Sequence, residues 1–152
     1  MYKLSFVCGC VCALKETVDD QNLVSCDNCN RKQQAVKQLH MHKLSPILVI
    51  HLKRFQYESL PATKIDTDIS IPLQMQLPAF LAPALDGRLP SYSLYAVSNH
   101  YGTDGEGHYT ATCNIRRDLD ASGWTMFNDS TSSHNSTISG RSAYVLFYRR
   151  TK

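Results

Sequence analysis

No stretch of this 152-residue chain is apolar for long enough to cross a bilayer. The apolar run within residues 4–14 follows Lys3 in the manner of a secretory leader, but it is weakly apolar and lacks an Ala-x-Ala cleavage site. Charge of one sign is equally scarce. Sixteen Lys and Arg against thirteen Asp and Glu leave a net charge of +3, too little to suggest a nucleic-acid partner. The basic pairs Arg116-Arg117 and Arg149-Arg150 are short enough to be solvated surface. Internal repeats and domain linkers are absent, and 43% hydrophobic with 19% charged residues argues against disorder and for one domain with a genuine core. The six cysteines lack the spacing of a disulfide scaffold: Cys8, Cys10 and Cys12 cluster, Cys26 and Cys29 form a C-x-x-C, and Cys113 stands alone. Such usage fits free thiols or metal in a reducing compartment. The expectation is a soluble intracellular protein without a membrane or nucleic-acid partner.

What the chain does have is strand pattern. Residues 47–52, Ile-Leu-Val-Ile-His-Leu after Ser45-Pro46, read as a buried central strand with His51 as a core histidine. Residues 92–99 and 108–115 read as paired strands, 124–127 as a short strand and 143–148 as the last one. Residues 33–43 have the polarity of an exposed strand, and 64–71 form a shorter strand closed by Pro72. Pro72, Pro78, Pro83 and Pro90 make residues 72–90 a loop with a short helical turn. Residues 116–123 form a polar hairpin turn, and 130–142 a Ser/Thr/Asn-rich loop. The start is ambiguous between buried helix and strand up to residue 18, with a helix end and turn over 15–22. The fold class expected is α+β, strand-dominated, with antiparallel pairing.

Two places carry chemistry. Gly102, Gly105 and Gly107 separate the paired strands, and His108 sits where that turn becomes strand. A histidine held by a rigid element beside an open turn suits a general base, although a turn histidine without a chemical duty fits the pattern equally. A base needs a partner that orients its ring, and a hairpin over 116–123 sets His108 beside Asn128 or Asp129. Cys113 lies roughly 16 Å along the strand from His108 and cannot be its nucleophile. The Ser-rich loop has no nucleophile elbow. The second place is Cys26-Asp27-Asn28-Cys29, a knuckle that presents two thiolates to one tetrahedral metal. Cys8, Cys10, Cys12, His40 and His42 are the nearby candidates to complete it; the alternative is a pair of free surface thiols.

Five motifs in order bear a family likeness: residues 44–55 (LSPILVIHLKRF), 92–100 (YSLYAVSNH), 107–111 (GHYTA), 124–130 (WTMFNDS) and 143–148 (AYVLFY). Together they resemble the ubiquitin-specific proteases, papain-like cysteine isopeptidases built of fingers, palm and thumb. The resemblance spans about residues 15–150 and implies a partial papain-like cysteine protease fold. The chain is then the C-terminal part of one catalytic domain, with fingers over about 15–45 and palm over about 46–150. It further implies that His108 is the catalytic histidine, that Asn128 stands where many relatives have Asp, and that Asp129 is a supporting acid. Tyr101, Gly102, Gly105, Gly107 and Tyr109 would line the channel for the ubiquitin tail, with residues 83–90 as a neighbouring loop. Glu106 stands where a glycine is common, and the loop after Asp129 lacks the family's Val-Ser pair. Cys26 and Cys29 match the second zinc knuckle; zinc is expected there if other ligands complete it, and no cofactor is required for the reaction. Partners would be ubiquitin and ubiquitinated proteins in cytoplasm, nucleus or both. The family's Gly-Asn-Thr-Cys-type nucleophile box, its thumb and its first knuckle have no counterpart in the sequence. The expectation is therefore a deubiquitinase fragment inactive by itself, the alternative being a non-catalytic ubiquitin-binding module or a truncated gene product.

Overall fold

The computed structural model describes residues 2–3, 16–18, 21–38, 41, 43–56, 63–79, 88–103, 106–116, 123–134 and 136–151. Seven strands form one sheet: β1 (Ile47–His51), β2 (Gln74–Gln76), β3 (Ser91–Gly102), β4 (Gly107–Asn114), β5 (Trp124–Asn128), β6 (Thr131–His134) and β7 (Ala143–Arg150). Six of them follow the order β6-β5-β4-β3-β7-β1, β2 pairs with β3 off this path, and every pairing is antiparallel. The twelve-residue β3 is the spine. One of its edges pairs first with β2 (Met75 opposite Tyr92) and then with β4 (Ala96 opposite Cys113, through to Gly102 opposite Gly107). The other edge pairs with β7.

One face of the sheet buries the core. Tyr92, Leu94 and Val97 of β3, Leu146 and Tyr148 of β7 and Trp124 of β5 are almost inaccessible. A register shift between Leu94 and Ala96 changes the phase of β3, so that Leu94 and Val97, three apart, both face inward. The two large phenols bury their hydroxyls with partners: Tyr92 donates to the Ser45 carbonyl at 2.8 Å and Tyr148 to that of Pro72 at 2.9 Å. On the opposite face the ladder aligns Val49, Phe147, Ala96 and Cys113 in one row, and His51, Val145, Ser98, Ala111 and Phe127 in the next.

The strand-dominated architecture is as expected, and no α-helix occurs among the described residues. The loop with a short helical turn expected over 72–90 contains the strand β2, and its residues 80–87 lie outside those described. Several expectations are corrected. The run 47–52 is not a central strand: β1 is an edge of the sheet, Val49 is 53% exposed, and His51 is exposed with its ring edge-on to Tyr144 at 4.7 Å. Apolar residues on both sides of a strand report its hydrophobicity, not which side is covered. The expected loop over 130–142 contains β6, whose four residues are all exposed and so carry no alternation to read. Residues 64–71 are two short strands, Thr63–Lys64 and Ile69–Ser70, pairing with Phe55–Gln56 and Tyr2–Lys3 respectively. Between them the carbonyls of Ile65 and Thr67 go to the Arg54 guanidinium rather than to a ladder. Residues 33–43 likewise resolve into two pieces, Arg31–Gln33 paired with Val24–Cys26 and Val36–Lys37 paired with Glu16–Thr17.

Candidate active site

The turn between β3 and β4 is closed by backbone. Gly102 pairs with Gly107, and the Thr103 N–H donates to the Glu106 carbonyl at 3.1 Å. Gly102 has φ of 99°, and a Cβ there would collide with the Glu106 carbonyl, so both conformation and space demand glycine. Tyr101 and His108 are cross-strand partners at its base, and Tyr101 and Tyr109 are 42% and 54% exposed. Gly105 lies outside the described residues.

His108 is exposed, and its Nε2 lies 2.5 Å from Oδ1 of Asn128, the last residue of β5. The β4–β5 ladder brings them together: Asn114 opposite Trp124 at one end, Ala111 opposite Phe127 near the other. Asp129 follows in the left-handed region at φ 48°, opening the two-residue turn that leads to Thr131 opposite Asn128. The Thr131 hydroxyl donates to the Asn128 carbonyl at 2.9 Å. Of the two candidate orienters the structure sets Asn128 against the histidine and uses Asp129 to turn the chain.

Residues that the sequence does not single out hold this pair. Buried Asn99 on β3 donates to the hydroxyls of Thr110 and Thr112 on β4, at 3.2 and 2.9 Å, and accepts from Ser142 at 3.3 Å. That network fixes the β3–β4 register two residues beyond His108. Lys64, its side chain 8% exposed, donates to the His100 carbonyl at 2.9 Å and pairs with Asp66 at 3.2 Å. The signal for Asn99 was a polar residue amid alternating strand, which marks a buried partner only once the strands are paired.

Among the described residues the thiols are those of Cys26, Cys29 and Cys113. Cys113, half-buried on β4, has its thiol pushed up by burial and stays protonated at neutral pH. Cys26 and Cys29 lie on the small hairpin Val24–Cys26/Arg31–Gln33, whose turn is closed by the Asn30 N–H on the Cys26 carbonyl at 2.9 Å. The Cys26 thiol is lowered from its ordinary value, first by its hydrogen bond with Cys29 and then by the backbone at Cys29 and Asn28. Gln33 donates to the Cys29 sulfur at 2.6 Å. The two sulfurs thus converge as metal ligands do, while no third candidate ligand joins them among the described residues. Cys8, Cys10, Cys12, His40 and His42 lie outside those residues.

The family described as "Ubiquitin carboxyl-terminal hydrolase" matches residues 17–148. "Ubiquitin carboxyl-terminal hydrolase 5" of Arabidopsis thaliana is 41% identical over 128 residues, covering 82% of this chain and 14% of that protein. "Ubiquitin carboxyl-terminal hydrolase 15" of Homo sapiens is 41% identical over 140 residues, covering 90% of this chain and 14% of the relative. Among solved structures, "Structure of the SAGA Ubp8/Sgf11/Sus1/Sgf73 DUB module bound to ubiquitin aldehyde" superposes with a TM-score of 0.81 at 33% identity. That match covers 99% of this chain and 34% of the other. The chain therefore spans a small part of the length of the relatives it matches. With its paired histidine and asparagine on adjoining strand ends and this likeness along most of its length, the chain belongs to the ubiquitin carboxyl-terminal hydrolase family, among the ubiquitin-specific proteases.

Proposed function

We propose that this chain is the base-bearing part of a deubiquitinase, a cysteine isopeptidase that cleaves bonds to the C-terminus of ubiquitin. The contact between His108 Nε2 and Asn128 Oδ1 carries the reading. An amide oxygen only accepts, so the hydrogen of that contact belongs to Nε2. The free lone pair of the neutral imidazole then lies on Nδ1, the nitrogen left to move protons. Nδ1 takes the proton of a cysteine thiol as the sulfur bonds to the scissile carbonyl carbon. The imidazolium returns that proton to the leaving nitrogen as the C–N bond breaks, leaving a thioester. Water then attacks the thioester through the same nitrogen, and the thiol is released. Asn128 fixes tautomer and ring plane throughout, with less electrostatic support than a carboxylate gives.

The thiol belongs to a Gly-Asn-Thr-Cys-type box that this sequence does not contain. Around the pair, Tyr101, Gly102, Gly107 and Tyr109 form the passage for the ubiquitin tail, and Asp129 holds the turn that presents Asn128. Residues 46–150 serve as the palm of a papain-like domain and 15–45 as part of its fingers. Cys26 and Cys29 supply half of a tetrahedral zinc site with ligands from elsewhere, a structural role outside the reaction. Ubiquitinated proteins are the substrates, inside the cell, where thiols stay reduced.

The test joins this chain in frame behind the nucleophile-bearing half of a relative's catalytic domain. The product releases a fluorophore from a ubiquitin C-terminal amide, and His108→Ala lowers kcat by at least about 100-fold, with Asn128→Ala lowering it less. Turnover unchanged by His108→Ala means the base is elsewhere. The chain alone gives no turnover, while titration with ubiquitin shifts the amide resonances of Tyr101, Gly107 and Tyr109.

A further inference from the structure

Gly107 stands directly before His108, and nothing in its backbone asks for glycine. Among the described residues Gly102 is the glycine in the left-handed region; Gly107 has a conformation open to any residue. Space is what excludes a side chain. A Cβ on residue 107 would collide with Nε2 of His100 and come within 2.9 Å of its Cε1.

His100 is itself oddly placed for a polar residue. It is 4% exposed, its ring lying 4.8 Å from that of Tyr109, 5.4 Å from Phe55 and 5.9 Å from Tyr144. Its Nδ1 is buried without a hydrogen-bond partner among the described residues. Leaving that nitrogen unpaired is costly, so packing stability alone does not account for a histidine here. Its backbone is held at both ends, the N–H by the Ser142 carbonyl at 2.8 Å and the carbonyl by Lys64 at 2.9 Å.

We propose that His100 is a positioning residue: its imidazole is the surface on which Gly107 lies, and it sets where β4 delivers His108 against Asn128. This rests on reading His108 and Asn128 as base and orienter. It makes the glycine at 107 a requirement of the chain's own interior, whereas passage of a substrate tail would require it from outside.

The experiment is a two-site cycle in the full chain with Gly107→Ala, His100→Ala and the double variant. Nuclear Overhauser contacts between the His108 ring and the Asn128 side chain are measured with the thermal midpoint. The proposal expects the contact in the parent chain, its weakening in His100→Ala, where β4 loses its seat, its loss in Gly107→Ala, and its return in the double variant, where the methyl takes space that the imidazole leaves. A His100→Ala chain with the parent's contact overturns it. A Gly107→Ala chain that keeps the contact overturns it. So does a double variant no better than Gly107→Ala, which would give the glycine to the substrate passage. Should Gly107→Ala alone fail to fold, the midpoint decides: a double variant that folds supports the proposal, and one equally unfolded overturns it. A parent chain without the His108–Asn128 contact removes the base-and-orienter reading itself, a result separable from the steric cycle, which the midpoints still report.

Discussion

A histidine enclosed by rings resists protonation. His100 is held below its ordinary value first by burial and next by the charge of Lys64, with Asp66 opposing them. Among the described residues no other charged group contributes to that shift. In the unfolded chain the same imidazole titrates at about 6.5. Above that value both states are neutral there, and its titration takes nothing from stability. As pH falls below it the unfolded state takes a proton that the native state refuses, so the native state loses stability down to the lowered native value. The thermal midpoint of the parent chain should therefore fall more steeply from about pH 7 to about pH 5 than that of His100→Asn. Carboxylates titrate in both proteins and cancel in the difference. Parallel slopes would show that His100 is free to charge in the fold. The same measurement bears on the reaction: a neutral His100 beneath the turn adds no positive charge beside His108.

Between elements the decisive side chain is Arg54, in the loop after β1. Its guanidinium donates through Nε to the Ala143 carbonyl at 2.7 Å and through Nη1 to Ile65 and Thr67 at 2.7 and 3.0 Å. Nη2 donates to the Gly140 carbonyl. One buried planar fork thus ties the segment before Ile69 to the start of β7, where Ser142 supports Asn99 and His100. Removing it leaves one buried and three partly buried carbonyls short of donors. Arg54→Met should cost about 3 kcal/mol or more in denaturant unfolding, and Arg54→Lys should recover little, since one ammonium cannot span the fork. A loss below about 1 kcal/mol would mean that water replaces the guanidinium. None of this is legible in the sequence, where Arg54 is one basic residue after an apolar run and its partners are up to 89 positions away. The His108–Asn128 contact is legible, because two strands joined by a hairpin bring the start of one beside the end of the other. Strand pairing leaves Asn128 and Asp129 open; the family likeness points to Asn128, and the turn agrees by spending Asp129 on a left-handed φ of 48°. The β6 strand leaves no trace in the sequence because its four polar residues are all exposed and show no alternation.

At the scale of the whole molecule the sheet is asymmetric. Its inner face closes over Leu94, Val97, Leu146 and Tyr148, whereas the rows carrying Val49, Phe147 and Cys113, and Val145, Ala111 and Phe127, have no layer of described residues over them. Val49 and Phe127 remain 53% and 41% exposed, at opposite ends of those rows. The edge strand β1 adds Ile47, itself 36% exposed, beside unpaired backbone. Apolar rows next to an open strand edge favour self-association. The chain by itself should bind an environment-sensitive dye such as anilinonaphthalene sulfonate while keeping a cooperative unfolding transition, and sediment as larger species as its concentration rises. Val49→Thr with Phe127→Thr should reduce both the dye signal and the association, because each change leaves a β-branched residue on a strand and removes apolar surface from water. The thermal midpoint should hold within a few degrees, since neither side chain reaches the inner core. If the double variant binds dye and associates as the parent does, the apolar surface responsible is elsewhere. If it unfolds, those rows are covered in solution, and the face of the sheet opposite the core is a second interior.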